Sequence, residues 1–355
     1  MIRRMLDSWR RPQLKCASDF LQSAERLQAL LERERMRCDR GNASFSLLTL
    51  TFSARLSDSN LTAIARTLRD RLRITDDAGI WSARAIGVIL PETPVAGAWK
   101  LADDLCELMP HELPRPKCEV FAYPSDEQPE EVLVGEEAEQ PEEDRISRPM
   151  HTLFVRPMPA WKRAIDVIGA SVALVLAAPL LLAVAVAIKL TSPGPVIFKQ
   201  RRHTIGGRKF MMYKFRTMAA NAEQRKTALL RFSEQDGPAF KLAKDPRVTA
   251  LGRFLRKTSI DELPQLVNVL LGDMSVVGPR PLPCDESDRC EQWQLRRLDV
   301  TSGLTCIWQV RGRSAVSFCD WIRMDIEYIR SRSLINDVKL IAQTMPAVLL
   351  RRGAC

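Results

Sequence analysis

From Val167 to Ile188 the chain carries no charge; it is built from Val, Ile, Leu and Ala, with Gly169, Ser171 and Pro179 as interruptions. Nothing else in the sequence constrains the fold as tightly. A run of that length spans the roughly 30 Å hydrocarbon core of a bilayer. Burial of the same run inside a soluble domain is the weaker reading. The flanks add a second constraint. Arg156, Lys162 and Arg163 precede the run, and Lys189, Lys199, Arg201 and Arg202 follow it. A straight spanning helix leaves one end outside, yet both ends here carry the cations that mark a cytoplasmic flank. Pro179, near the middle, removes a backbone donor and kinks a helix. The sequence therefore predicts a segment over about 164–190 that enters the membrane, breaks at Ala177-Ala178-Pro179 and returns to the same, cytoplasmic side of the inner membrane. Asp166 is placed to pair with Lys162 or Arg163.

The 355 residues allow two or three domains. The net charge is +10, although the middle of the chain is acidic. Such an excess of cations points to an anionic partner, either lipid or a phosphorylated substrate. Nucleic acid is excluded as the favoured partner: no zinc spacing, RRM signature or basic zipper is present, and aromatics make up only 6%. The nine cysteines form no CxxC pair, which fits a reducing compartment. The three histidines, His111, His151 and His203, are scattered and argue against a His-based triad or zinc centre. Residues 1–30 lack the long apolar core of a signal peptide.

Three regions follow from composition and periodicity: an N-terminal α+β domain over 1–123, an acidic, proline-rich linker over 124–160, and a membrane-anchored domain over 161–355. Leu21, Leu27, Leu30 and Leu31 form an apolar stripe on a helix that covers the first domain. Strands are expected over 45–52, 83–90 and 118–123, and helices over 60–72 and 98–108. That alternation suits a ferredoxin-like or nucleotidyl-cyclase-like sandwich. Asp76 and Asp77 read as a solvated turn. Around Ile74 to Thr93 the chain resembles a diguanylate-cyclase (GGDEF) domain, but Ser82-Ala83-Arg84-Ala85-Ile86 stands where that family has its signature. The resemblance therefore implies a degenerate binding or interaction domain without the cyclase carboxylates.

The chemistry concentrates in the last region. Asp261 and Glu262 stand side by side at what reads as a helix start, with Leu263, Leu266, Val267 and Leu270 following at helical spacing. Ser259-x-x-Glu262 is also a capping box, and by itself the motif favours that structural role; the neighbouring residues shift the balance. Arg247, Arg253, Arg256 and Lys257 crowd the approach. Beyond lies a turn in which Arg280 sits between Pro279 and Pro281. A carboxylate ringed by cations at a helix N-terminus is kept ionised, and the same cations hold phosphate. Such a carboxylate serves as a nucleophile toward phosphorus or as a metal ligand. Arg201 to Lys209 form a basic turn that suits anionic headgroups or phosphates. Gln235-Asp236-Gly237-Pro238 reads as an active-site lid, and the segments 317–331 and 337–350 as amphipathic helices.

Five stretches in register carry a family resemblance: Tyr213-Lys214-Phe215-Arg216-Thr217-Met218, Asp245-Pro246-Arg247-Val248-Thr249, Ser259 to Gln265, Gly272 to Pro281, and Trp308-Gln309-Val310-Arg311-Gly312-Arg313. With them the chain, from Trp161 to its end, resembles the bacterial sugar transferases, monotopic polyprenyl-phosphate phosphoglycosyl transferases. The family often has Ser where Ala178 stands, Gly where Thr204 stands, and Pro and Gly where Ser302 and Cys306 stand. The resemblance implies an α+β architecture: a re-entrant membrane helix hairpin plus a small mixed catalytic domain. It also implies transfer of a sugar-1-phosphate from a nucleotide-diphosphate sugar to polyprenyl phosphate. Asp261 is then the nucleophile, and Glu262 the Mg²⁺ ligand or proton-transfer aid. Arg280 grips phosphate, and Lys214, Arg256 and Arg313 are further phosphate or nucleotide contacts. The implied partners are the donor, the lipid acceptor and inner-membrane lipid, and a homo-oligomer is compatible with all of them. The competing reading is a membrane-anchored regulatory protein that senses a ligand through its first domain.

Overall fold

The computed structural model describes residues 20–349, except 42, 111–112, 125–147, 220–221, 223, 241, 243–244 and 312–315. Two compact units result, Met1–Leu153 and Phe154–Cys355.

The first unit is built on a five-stranded sheet in the order β2-β3-β1-β4-β5. Its strands are β1 (Phe45–Thr51), β2 (Asp77–Ser82), β3 (Ala85–Pro91), β4 (Lys117–Tyr123) and β5 (Arg148–Pro149). Strand β1 pairs antiparallel with both β3 and β4, which explains why its sequence is apolar almost throughout. Helices Asp58–Arg71 and Val95–Leu108 bury Leu61, Ile64, Leu68, Ala98, Ala102 and Leu105 on Leu48, Leu50, Ile86 and Val88. Helix Ala24–Cys38 buries the expected Leu27, Leu30 and Leu31. Leu27 lies over Gly87, where a Cβ would meet it at 3.0 Å; by alternation this is the opposite face of β3.

Strand β2 is absent from the expectation. It begins at Asp77, opposite Ile89, so Asp77 is a strand residue and not part of a solvated turn. Asp76 does sit in the turn, accepting the Arg73 N–H at 2.9 Å. With β2 the element order becomes β-α-β-β-α-β and the sheet order that of a ferredoxin-like sandwich. The chain returns to this sheet at Arg148, parallel to β4 at Phe121, within the region expected to be linker. The acidic stretch 125–147 lies outside the described residues.

The second unit begins with helix Ala160–Thr191, among the described residues the one helix long and apolar enough to cross a membrane. Val175, Leu176 and Leu182 are each at least 67% exposed, apolar surface that belongs in lipid. This exposure makes the helix a membrane-associated element. Pro179 lies inside a single assigned helix; no interruption separates two helices at the expected break.

Both ends of this helix are fastened to the same unit. At the start, Lys162 pairs with buried Asp337 at 2.5 Å. Arg163 donates to Val269 O and Leu270 O at 2.5 and 2.6 Å, satisfying the last carbonyls of helix Gln265–Leu271. Asp166 pairs with neither expected cation; it accepts the Val276 N–H at 3.0 Å. At the other end, Arg216 donates to Ser192 O and Oγ at 2.8 and 2.7 Å. Ala170 packs with Phe210, Met212, Leu266 and Val269, while Val184 and Ile188 pack with Phe215 and Leu255.

Strands β6 (Ile197–His203) and β7 (Lys209–Phe215) form an antiparallel hairpin, and β8 (Ser275–Val277) and β9 (Gly303–Thr305) a parallel pair. Asn268 ties helix Gln265–Leu271 to β7, accepting from Tyr213 N at 3.0 Å and donating to Met211 O at 2.7 Å. Beyond β8, Gly278 crosses the backbone of Thr301 to Gly303 so closely that a Cβ on it would collide with main-chain atoms. This crossing fixes where the Pro279–Pro281 turn begins.

Candidate active site

The dyad lies just upstream of the helix that the sequence placed there. Helix Ala250–Lys257 ends, Ser259 turns the chain with a left-handed φ of 57°, and a 3₁₀ turn, Ile260–Glu262, carries both carboxylates. Leu263 and Pro264 then lead into helix Gln265–Leu271. Ser259 makes no capping hydrogen bond, so the capping box does not form. In a 3₁₀ turn successive side chains diverge by about 120°, and Asp261 and Glu262 accordingly meet different surroundings.

Glu262 is held twice. Its Oε1 accepts from Lys214 Nζ at 3.2 Å and from Arg280. Burial alone would raise its pKa, but Arg280 and Lys214 outweigh it and hold the carboxyl at about 2. Asp261 is 7% exposed and accepts no side-chain hydrogen bond among the described residues. Burial, reinforced by the charge of Glu262, pushes its pKa up to about 6 against the pull of Lys214, Arg256 and Arg280. The cations serve Glu262 first; at Asp261 burial and the neighbouring carboxylate outweigh them, the reverse of the effect expected from a ring of cations.

The surrounding cations sort themselves. Lys214 enters from β7; burial lowers its pKa to about 8. Arg280 comes from the proline-flanked turn and also donates to Leu304 O at 3.3 Å. Glu262 keeps it protonated despite burial. Arg256 donates to Thr217 Oγ1 at 3.0 Å and lies within the field of Asp261. Arg253 and Lys257 are exposed, and Arg247 is committed to Asp245 at 2.6 Å, so these three do not crowd the dyad. Arg313 lies outside the described residues. The expected lid is fastened down: Gln235 donates to Val316 O at 3.2 Å, and Asp236 accepts the Phe318 N–H at 2.8 Å.

Two residues of this centre went unassigned in the sequence. Arg202, near the end of β6, donates to Pro281 O and stands beside Arg280. Gln265, one helical turn past the dyad, is wholly buried with both amide atoms unpartnered. The basic run from Arg201 to Lys209 was a signal for Arg202. For Gln265 there was none. Arg297 braces the turn from behind, donating to Arg280 O while pairing with buried Asp325 at 2.8 Å.

Lys214, Arg202, Arg256 and Arg280 thus face two carboxylates, one of them bare. An excess of half-buried cations is an anion site, and guanidinium groups suit phosphate oxygens. The bacterial sugar transferase family matches residues 158–351, more than half of the chain and all of this centre. The chain belongs to the bacterial sugar transferase family.

Individual sugar transferases agree over the same region. The chain is 43% identical over 194 residues to galactosyl transferase CpsE of Streptococcus agalactiae, covering 54% of this chain and 43% of that one. It is 40% identical over 211 residues to the exopolysaccharide production protein ExoY of Rhizobium meliloti, covering 58% of this chain and 93% of that one. It is 42% identical over 204 residues to the UDP-glucose:undecaprenyl-phosphate glucose-1-phosphate transferase of Caulobacter vibrioides, covering 54% and 71%. The chain thus spans less than half of CpsE and nearly all of ExoY. The crystal structure of a DGC protein from Thermotoga maritima is similar over 30% of this chain and 84% of its own, at 14% identity and a TM-score of 0.28.

Proposed function

We propose that this sugar transferase moves a sugar-1-phosphate from a nucleotide-diphosphate sugar, a UDP-sugar in the first instance, to polyprenyl (undecaprenyl) phosphate. The lipid-linked product initiates an exopolysaccharide, capsule or O-antigen-type glycan. The observation that carries the reading is the asymmetry of the dyad: Glu262 is clamped by Lys214 and Arg280, whereas Asp261 is buried and unbonded. An unbonded carboxylate with a raised pKa is poised to attack; a clamped one is poised to organise charge.

In the proposed first step, Asp261 Oδ attacks the donor's β-phosphorus and the phosphoanhydride bond breaks. The nucleoside monophosphate leaves, and an aspartyl-phosphosugar remains. In the second step, an oxygen of polyprenyl phosphate attacks the same phosphorus and displaces the Asp261 carboxylate, giving a polyprenyl-diphosphate sugar. Arg280 and Lys214 neutralise phosphate charge in both steps, with Arg256 beside Asp261 and Arg313 as an additional nucleotide contact. Glu262 fits magnesium through its second oxygen, since Mg²⁺ takes one or two carboxylates and completes its shell with substrate phosphates. When bound, the ion supplies further neutralisation of the donor diphosphate.

Helix Ala160–Thr191 is read as a re-entrant anchor hinged at Pro179, which holds the site at headgroup depth on the cytoplasmic face of the inner membrane. Its two fastened ends and bare middle support this. Cysteines placed at positions 160 and 200 on a cysteine-free background should both resist an impermeant thiol reagent in intact cells; labelling of either from outside would exclude the hairpin. The first unit is read as a degenerate accessory module that makes no cyclic dinucleotide.

The chemical test uses nucleotide sugar labelled in the sugar, without acceptor. Label should stay on the peptide containing Asp261, and adding polyprenyl phosphate should chase it into lipid. Direct transfer with no labelled protein would sink the covalent step. A protein that releases no nucleoside monophosphate from any donor in membranes would sink the transferase reading.

A further inference from the structure

We propose that Arg202 is a phosphate-binding residue of this site, the cation that completes its charge only when the donor diphosphate arrives. The inference rests on the transferase reading above.

The argument starts from the strand. Arg202 lies opposite Phe210 in the β6–β7 hairpin, and the end of β6 also bridges to Pro283, just past the Pro279–Pro281 turn. The side chain is thereby delivered to that turn. Its Nη1 donates to Pro281 O, and its Nη2 to Gln200 Oε1 at 2.8 Å. Both acceptors are neutral. Its Nε is buried and has no partner. Among the described residues Arg202 forms no ion pair; Glu286, Glu262 and Asp285 act on it only through space. Its near neighbour Arg280 is a like charge, and burial with Arg280 lowers its pKa to about 10, still protonated at neutral pH.

Lys214 and Arg280 share Glu262, and Arg297 has Asp325. Arg256 is bonded to Thr217 Oγ1 and lies in the field of Asp261, the reacting carboxylate of the proposed mechanism. A half-buried guanidinium bonded only to neutral acceptors, with its buried Nε idle, is an unfavourable arrangement until an anion completes it. A phosphate oxygen supplies both the charge and the acceptor for Nε, and the fork of a guanidinium matches that geometry. The site already holds Arg280 for one phosphate, so a diphosphate is the ligand class that uses both arginines.

The bland alternative is that Arg202 only braces the turn through Pro281 O. Substitutions separate the two. Arg202→Gln keeps a donor for Pro281 O but loses the charge; Arg202→Lys keeps the charge. The probes are the nucleoside diphosphate of whichever donor the wild type uses, and the corresponding nucleoside without phosphate, titrated by calorimetry into the detergent-solubilised full chain. R202Q should bind the diphosphate about 30-fold or more weakly, with nucleoside affinity unchanged. R202K, which keeps the charge but not the fork, should recover part of the loss. Equal weakening by R202Q and R202K, parallel loss of nucleoside binding, or wild-type diphosphate affinity in R202Q would each overturn the assignment. If the wild type transfers from some donor and R202Q binds that diphosphate normally, only this inference fails. If the wild type transfers from none, the transferase reading fails and takes this one with it.

Discussion

The two units solve opposite problems. Among the described residues the first unit buries one large apolar cluster, with Leu48, Leu50, Ile64, Leu68, Ile86, Val88 and Leu90 in it, whereas the apolar residues of the second are divided among several smaller clusters. The first unit's stability comes from apolar area removed from water. Beside those clusters the second unit buries many charged side chains, Lys162, Asp166, Arg216, Arg247, Asp261, Arg297, Asp325 and Asp337 among them, where the first buries Glu34 and Arg35. Charges in an interior are expensive unless paired, and breaking one pair leaves the other charge stranded. The second unit accepts that cost because several of these pairs hold the membrane helix and the Arg280 turn in place. Lys162–Asp337 anchors the helix, and Arg297–Asp325 backs the turn. One interior serves folding, and the other positions charge.

The contrast is sharpest at Asp261. Asp261→Asn should lower transfer by about 10³-fold or more, the scale of losing a covalent nucleophile. It should not destabilise the fold. The folded pKa, about 6, lies above the ordinary 3.8, so the carboxyl's favourable contribution is complete below the lower value and lost as pH rises through the higher one. At pH 7 the buried charge is therefore a liability, and the amide should raise the melting temperature or leave it unchanged. Full activity in Asp261→Asn would restore a structural role for the dyad.

Glu262→Gln should cost about 10²-fold in activity and raise the magnesium concentration needed for half-maximal rate. Unlike Asp261→Asn it should also lower stability, because Lys214 and Arg280 lose their shared carboxylate. If both substitutions shifted stability in the same direction, the asymmetry of the dyad would be wrong.

The pH profile tests the same point more gently. The acid limb should fall about tenfold per unit below pH 6 as Asp261 takes up a proton. A limb centred near 4 would mean that the site is wetter than its burial indicates.

The smallest expected effect is on the other side of the comparison. Ile64→Ala should destabilise the first unit by about 2–5 kcal/mol, read by its own unfolding transition, and leave transfer unchanged wherever that unit remains folded. Residues 154–355 alone should keep basal activity. A folded, membrane-bound truncation without activity would show that the two interiors are not independent.

Much of this molecule is legible in its amino-acid sequence alone. The uncharged run with cations at both ends needs only composition, because a bilayer responds to length and charge rather than to tertiary contacts. The strands β1, β3 and β4 of the first unit are visible as apolar runs, and helix Ala24–Cys38 as an apolar stripe. Strand β2 is not: Asp77-Ala-Gly-Ile-Trp-Ser has little strand periodicity, and pairing with β3 is what makes it a strand. The motif residues Asp261, Glu262, Lys214 and Arg280 can be named as candidates from the sequence, but their division of labour cannot be read there. That division depends on Lys214, 48 residues before Glu262, and Arg280, 18 after it, converging on the same oxygen. Sequence spacing carries no signal for such a meeting. Nor does it reveal that Arg202 is bonded only to neutral acceptors. The close crossing at Gly278 and the bridge from β6 to Pro283 bring Arg202 to that position, and only the tertiary structure supplies them.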